Sequence, residues 1–151
     1  MNWLPKACVV VPFDFSEQSA RALEIAREMV DDVTHLHLIH VLPKIMVAEP
    51  GVIWTTGDDE ARIRHADMAF REGFAASPFC SSDFHVRIGD PGSEVARFAE
   101  QLGADLIVMP SHGRSGIPRI LVGSVAERVL RLAHCSVLIL RGLSRTHASK
   151  S

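Results

Sequence analysis

Apolar runs alternate with amphipathic stretches along the chain. Five short runs rich in apolar and β-branched residues predict strands, and several are apolar on both faces, as in parallel sheets. The predicted strands are ACVVVP (7–12), HLHLIHVLP (35–43), SDFHVRIGD (82–90), DLIVMP (105–110) and SVLILR (136–141).

Four amphipathic stretches between these runs predict helices over 16–32, 58–77, 90–104 and 124–133. Ser16 and Asp90 are suited to cap two of these helices, and Gly103 follows the end of the third. The resulting order βαβαβαβαβ predicts an α/β fold, an open parallel sheet with helices on both faces. We expect one domain over 1–143 and a flexible C-terminal tail over 144–151. The connection over 44–57 is long for a compact domain, which is typical of a lid or binding loop.

Composition narrows the class of function. The 151 residues are 47% hydrophobic and 23% charged, with a formal net charge of −2. We therefore expect neither a nucleic-acid-binding nor a membrane-binding face. The N-terminus lacks the features of a signal peptide, and the odd number of cysteines (Cys8, Cys80 and Cys135) favours a reducing compartment. These observations predict a cytoplasmic protein.

A ligand site is expected where the first and fourth strands end, because open parallel sheets bind ligands beyond the carboxyl ends of their strands. The loops at these ends are FDFSE (13–17) and SHGRSG (111–116). Asp14 could accept hydrogen bonds from a ribose, or it could simply stabilise the turn before a helix.

The stretch PSHGRSGIPRILVGS (110–124) could hold phosphate groups. Gly113 and Gly123 are separated by nine residues, and Ser124 comes directly before an apolar, helix-like stretch. Glycine lets backbone N–H groups approach a phosphate, and a helix N-terminus offers further donors. Ser124 and Glu127 also match a capping box, which needs no ligand. No Gly-Lys-Ser/Thr sequence of a Walker A loop occurs.

The chain offers no clear signal for a metal or for catalysis. His35 and His37 are predicted to share one strand face, but no third ligand is spaced to join them, so we expect no metal site. Ser111 and His112 are adjacent in sequence, which does not place a hydroxyl against its base, and no G-x-S-x-G motif occurs. We therefore predict no catalytic residue.

Three stretches together resemble the universal stress protein family, over roughly residues 6–141. They are VVPFDFSEQSARAL, IGDPGSEVARFAEQLGADLIVMPSHGRSG and ILVGSVAERVLRLAHCSVLILR. The resemblance implies a sheet of strand order 3-2-1-4-5, as in adenine nucleotide α-hydrolase-like folds. It also implies a homodimer, paired through the last strand: Ser136, Val137, Leu138, Ile139 and Leu140.

Family members that bind ATP are similar in a G-x2-G-x9-G-S/T pattern. Here the pattern reads Pro110-Ser-His-Gly113, nine residues, then Gly123-Ser124. Pro110 replaces the first glycine and has no N–H to donate. By this resemblance the ligand is ATP, with Mg²⁺ or Mn²⁺ as the accompanying cation. The implied contacts are Pro12, Phe13 and the backbone of Val41 for adenine, Asp14 for ribose, and Ser111, His112, Gly113, Arg114, Gly123, Ser124 and Val125 for the phosphates.

Three functions remain open at this point. The first is an ATP-binding regulator in stress response, at most a slow ATPase, because no water-activating base or arginine finger is evident. The second is a nucleotide-free dimeric interaction module with a vestigial site, which Pro110 favours. The third, an adenylyl transferase, ranks last because PFDFSEQS lacks the loops that such enzymes share. The protein partners are not predicted.

Overall fold

A computed structural model describes residues 2–45, 57–112 and 122–143 of the chain. The predicted order of strands and helices is confirmed in these ranges, and most predicted ends shift by only a few residues. The elements are β1 (Val9–Pro12), α1 (Glu17–Arg27), β2 (Leu36–Leu42), α2 (Gly57–Phe74), β3 (Asp83–Ile88), α3 (Pro91–Leu102), β4 (Leu106–Pro110), α4 (Ser124–Leu132) and β5 (Ser136–Leu140), with short 3₁₀ turns at Val33–His35 and Pro78–Ser81.

The strands form one parallel sheet in the order β3-β2-β1-β4-β5, as expected. The short central strand β1 is flanked by β2 and β4, with Val10 beside His37 on one side and Ile107 on the other. The strands β3 and β5 are the two edges of this sheet.

Alternate residues of each strand enter two separate cores, one on each face of the sheet. On one face Val9 and Val11 pack with Leu23 of α1 and Phe70 of α2. On the other face, apolar side chains of the strands pack with residues of α3 and α4. That second core contains Val10, Ile39, Val95, Phe98, Ala99, Ile107, Met109, Ala126 and Val129. Helices therefore cover both faces, as the sequence predicts.

The residues predicted to cap α1 and α3 are confirmed as caps. The Ser16 hydroxyl accepts the N–H of Ser19 at 3.1 Å, and the Asp90 carboxylate accepts the N–H of Ser93 at 3.0 Å. Gly103 ends α3 in the left-handed conformation, with φ of 62°, which glycine adopts without steric cost.

One prediction is wrong, and two others concern residues that the structure does not describe. His35 lies in a 3₁₀ turn and not on β2, so the predicted shared face of His35 and His37 is wrong. Most of the long connection (46–56) and the predicted tail (144–151) lie outside the described residues. Within the described ranges, no helix combines the length and apolarity needed to cross a membrane.

Candidate functional site

The loop after β1 is held by backbone hydrogen bonds and aromatic packing. The N–H of Phe13 donates to the carbonyl of Ile39 at 2.9 Å, and Nδ1 of His40 donates to the carbonyl of Phe13 at 2.8 Å. The Phe13 ring is 4% exposed and packs edge-on against Phe15, Phe70 and Phe74. The predicted adenine contact at Phe13 would therefore come from its backbone more than from its buried ring.

Asp14 lies in a tight turn between β1 and α1. Its Oδ1 accepts the N–H of Ser16 at 3.0 Å, and its own N–H donates to the Ser19 hydroxyl at 3.4 Å. Phe15, between them, has φ of 62°, which is uncommon for a residue with a side chain. The turn role considered for Asp14 is thus present, and it fixes the carboxylate at the carboxyl end of the central strand.

A backbone hydrogen bond joins the loop that follows β4 to the residue that precedes α4. Pro110 is the last residue of β4 and is buried beside Leu140 of β5. Ser111 then donates its N–H to the carbonyl of Leu140 at 2.8 Å and accepts the N–H of Gly123 at 2.7 Å. Ser111 therefore joins the two parts of the predicted phosphate loop, although the residues between them, 113–121, lie outside the described ranges.

Gly123 has a structural reason to be glycine. A Cβ added at this position would lie 2.9 Å from the Ser111 carbonyl oxygen and 3.6 Å from Cδ2 of His112. The first of these distances is too short for any other residue, so a side chain at 123 would push the two halves of the loop apart. Gly123 keeps the loop closed whether or not a phosphate group binds.

Ser124 does not cap α4, and the predicted capping box is wrong. Gly123 occupies the N-cap position, with no side-chain hydrogen bond, and Ser124 is the first residue of the helix. The reason is the pairing of Gly123 with Ser111, which places the helix start one residue earlier than the Ser-x-x-Glu pattern predicts. Ser124 and Val125 are exposed, and N–H groups in the first turn of a helix have no acceptor within the helix.

His112 contributes a buried ring nitrogen that has no hydrogen-bond partner among the described residues. Its Nδ1 lies 3.1 Å from the Ser111 hydroxyl oxygen, whereas its Nε2 is buried without a hydrogen-bond partner among the described residues. When the Ser111 hydroxyl donates to Nδ1, Nε2 carries the proton and becomes a buried donor. Such an atom normally has a partner, so its position beside Gly123 marks a place where a polar group would fit.

The predicted contact residues that the structure describes lie at the carboxyl ends of the strands. Pro12 is the last residue of β1, and Val41 lies near the end of β2, beyond the last residue that pairs with β1. Because β1 lies between β2 and β4, the carboxyl ends of these three strands are adjacent. Gly113 and Arg114 lie outside the described residues.

The structure contains a second polar cluster, which the sequence pattern did not indicate. His37 on β2 lies beside Asp83 on β3, and His85 lies two residues further along β3. Histidine spacing along a single strand does not indicate this cluster, because it forms between two strands. Asp83 and His85 are spaced to share a face of one strand, and this signal was available once β2 and β3 were expected to be neighbours.

Comparison with known proteins identifies the family. A sequence model of the universal stress protein family matches residues 8–141. The chain belongs to this family. Among curated members, universal stress protein MJ0531 of Methanocaldococcus jannaschii is 32% identical over 139 residues, spanning 88% of this chain and 81% of that protein.

Solved universal stress proteins share the fold. UspA of Lactobacillus plantarum superposes with a TM-score of 0.67 at 22% identity, covering 93% of this chain and all of that chain. A universal stress protein in complex with cAMP superposes with a TM-score of 0.52 at 27% identity, covering 91% of this chain and 98% of that chain. The family and the fold expected from the resemblance are thus confirmed.

Proposed function

We propose that this universal stress protein binds ATP at the carboxyl ends of β1 and β4 and acts as a homodimeric regulator in stress response. One observation carries the nucleotide proposal: the N-cap position of α4 is Gly123, which supplies no capping side chain, and Ser124 stands exposed at the start of the helix. An uncapped helix N-terminus attracts phosphate through its free N–H groups and its dipole.

Neighbouring groups support a phosphate at this position. His112 has its buried Nε2 without a described partner, and the closed contact between Ser111 and Gly123 brings this ring beside the start of α4. The proposed ligand would use the Ser124 hydroxyl, which is released from capping. Asp14, fixed by its turn, would accept from the ribose. When bound, Mg²⁺ or Mn²⁺ would offset part of the phosphate charge.

The relative solved with cAMP gives the proposal a chemical precedent. That protein holds an adenine nucleotide on the same fold, at 27% identity to this chain. We extend this precedent to ATP because the spacing of Gly113, Gly123 and Ser124 in this sequence fits the pattern of the ATP-binding members.

The nucleotide proposal is tested by binding and by one serine substitution. ATP with Mg²⁺ at millimolar concentration should raise the Tm of the wild type, because a ligand of the native state stabilises it by mass action. Ser124→Ala should raise the Kd for ATP about tenfold or more, the usual effect of losing a hydrogen bond to a charged group. Ser81→Ala, which removes an exposed serine hydroxyl from the turn before β3, should leave the Kd unchanged.

Two results would reject the nucleotide proposal or its contact at Ser124. One is no change in Tm with ATP, together with no nucleotide released from the purified protein on acid extraction. The other is an equal Kd for wild type and Ser124→Ala. The first result would leave the alternative of a nucleotide-free interaction module, in which Ser111 and Gly123 serve only to close the loop. The second would show that ATP binds without the proposed contact at Ser124.

The homodimer proposal rests on the contrast between the two edges of the sheet. The edge strand β5 has the sequence SVLIL, and Val137 to Leu140 are half-buried with their apolar side chains against both cores. The other edge, β3, carries Asp83, His85 and Arg87. Charged residues protect an edge from pairing, and β5 lacks them, so a second copy is expected to pair there.

A further inference from the structure

Two histidines and an aspartate meet on the edge of the sheet away from β4 and β5. His37 Nδ1 lies 3.2 Å from Asp83 Oδ2, and His85 Nε2 lies 2.7 Å from the same oxygen. One ligand atom from each of the three residues lies within 4.8 Å of the other two. The register explains the meeting, because His37 pairs with Asp83 and Ile39 pairs with His85.

The two imidazoles converge on one oxygen of the Asp83 carboxylate, each through a ring nitrogen. A divalent cation can replace the protons that these nitrogens share with Asp83.

The distances are close to those of a metal centre. With ligand bonds of about 2.0–2.1 Å, the donor atoms of a tetrahedral Zn²⁺ site lie roughly 3.3 Å apart. The two contacts to Asp83 Oδ2, 2.7 and 3.2 Å, differ from this spacing by less than 1 Å, and the two imidazole nitrogens lie within 4.8 Å of each other. Small side-chain rotations would therefore open the cluster around an ion.

The cluster packs against α3 on one side and borders a cavity on the other. The His85 ring packs on Phe98 of α3 at 4.7 Å between ring centres, which holds its orientation. A cavity of about 570 Å³ is lined by His37 and Asp83 together with Cys80. Three protein ligands leave one tetrahedral position open, and this cavity gives water or a small ligand a way to reach it.

We propose that His37, Asp83 and His85 form a binding site for a divalent transition metal, with Zn²⁺ as the preferred ion. Two imidazoles favour Zn²⁺ and its transition-metal neighbours over Mg²⁺ and Ca²⁺, which prefer oxygen ligands. The bound ion would tie the edge strand β3 to β2. His37 is the second residue of β2 and Asp83 the first residue of β3, so the ion would lie near the amino ends of these strands, at the opposite end of the sheet from the proposed phosphate position.

The test uses ZnCl₂ alone, added to nucleotide-free protein without a polyhistidine tag. The wild type should bind one Zn²⁺ by calorimetry, and its Tm should rise by roughly 5 °C or more at a hundredfold excess over Kd. Asp83→Asn, which keeps the shape of the side chain, and His85→Gln should each raise the Kd at least about tenfold. MgCl₂ at the same concentration should leave the Tm unchanged.

His134→Gln is the matched control. His134 also faces a carboxylate, with Nε2 at 3.6 Å from Oε1 of Glu100, but it has no third ligand beside it within the described ranges. Its substitution should leave Zn²⁺ binding intact. Co²⁺ adds a second readout, since the wild type should show the visible absorption of a tetrahedral site and Asp83→Asn should lose it.

An unchanged Zn²⁺ affinity in both Asp83→Asn and His85→Gln would overturn the proposal, whether or not Cys80→Ser retains binding. Loss of binding in Cys80→Ser alone would assign the ion to the exposed thiol. In either case the cluster would be an ordinary hydrogen-bonded group that protects an edge strand.

Discussion

Pro110 stands where the ATP-binding members of the family have glycine, and its surroundings show what it does here. It is buried as the last residue of β4, beside Leu140, and the next residue, Ser111, makes the hydrogen bond that continues the ladder to β5. A proline has no N–H to donate to a phosphate group. At this position, however, the residue pairs with β5 and packs in the core. We infer that Pro110 completes β4 and would take no part in holding the proposed ligand.

This inference gives a prediction with two separate readouts. Pro110→Gly should lower the Tm, because it removes a buried ring and frees the unfolded chain. The same change should leave the Kd for ATP within about a factor of two, since no phosphate contact is gained. Calorimetric titration and thermal melting of one protein preparation measure both. A Kd that falls tenfold in Pro110→Gly would show that the proline weakens the phosphate site.

At the scale of elements, the start of α3 is locked against α4. Gly92 of α3 is buried, and an added Cβ would lie 2.6 Å from Cβ of Arg128 on α4. Arg128 in turn donates to the Ser93 hydroxyl at 3.0 Å and pairs with Asp90, also at 3.0 Å. Hydrogen bonds from Ser93 hold the pKa of Asp90 below its usual value, and the charge of Arg128 adds to this shift. The position of α4, and with it the start of the proposed phosphate site, thus depends on a close helix contact.

Gly92→Ala tests this contact. The added methyl group would force α3 and α4 apart, and we expect a loss of about 1–3 kcal/mol in the free energy of unfolding. Gly73→Ala, in α2, is the matched control, because a Cβ there meets no atom within 4 Å. A helical glycine replaced by alanine in open space should be neutral or stabilise by up to about 1 kcal/mol. Urea unfolding measures both, and equal effects of the two substitutions would contradict the proposed contact.

The sequence predicts helices and strands well where the hydrophobic periodicity is strong and where capping residues mark the ends of the helices. Ser16, Asp90 and Gly103 act as predicted because each depends only on residues within a turn of itself. Ser124 fails because the true cap, Gly123, is selected by a hydrogen bond to Ser111, twelve positions earlier. The cluster of His37, Asp83 and His85 was missed because it depends on the register between β2 and β3, which local patterns do not contain.

At the scale of the whole molecule, the two edges of the sheet differ in the character of their side chains. The edge at β3 carries charged side chains and the proposed metal site, and both features discourage pairing with another strand. The edge at β5 offers an apolar strand whose backbone has one neighbour, β4, in the described sheet. A two-fold pairing of β5 with its copy would extend the sheet across two protomers and close that edge.

Ile139→Lys tests this assembly. A lysine on β5 should shift the protein from dimer to monomer, because a charge on an edge strand opposes pairing, while its long aliphatic stem can still cover the core. Val86→Lys places the same side chain at a half-buried position on β3 and should leave the dimer intact. Light scattering coupled to size-exclusion chromatography gives the mass, and circular dichroism establishes that each variant is folded. A monomeric wild type at tens of micromolar, or a folded dimer in Ile139→Lys, would exclude β5 as the dimer interface.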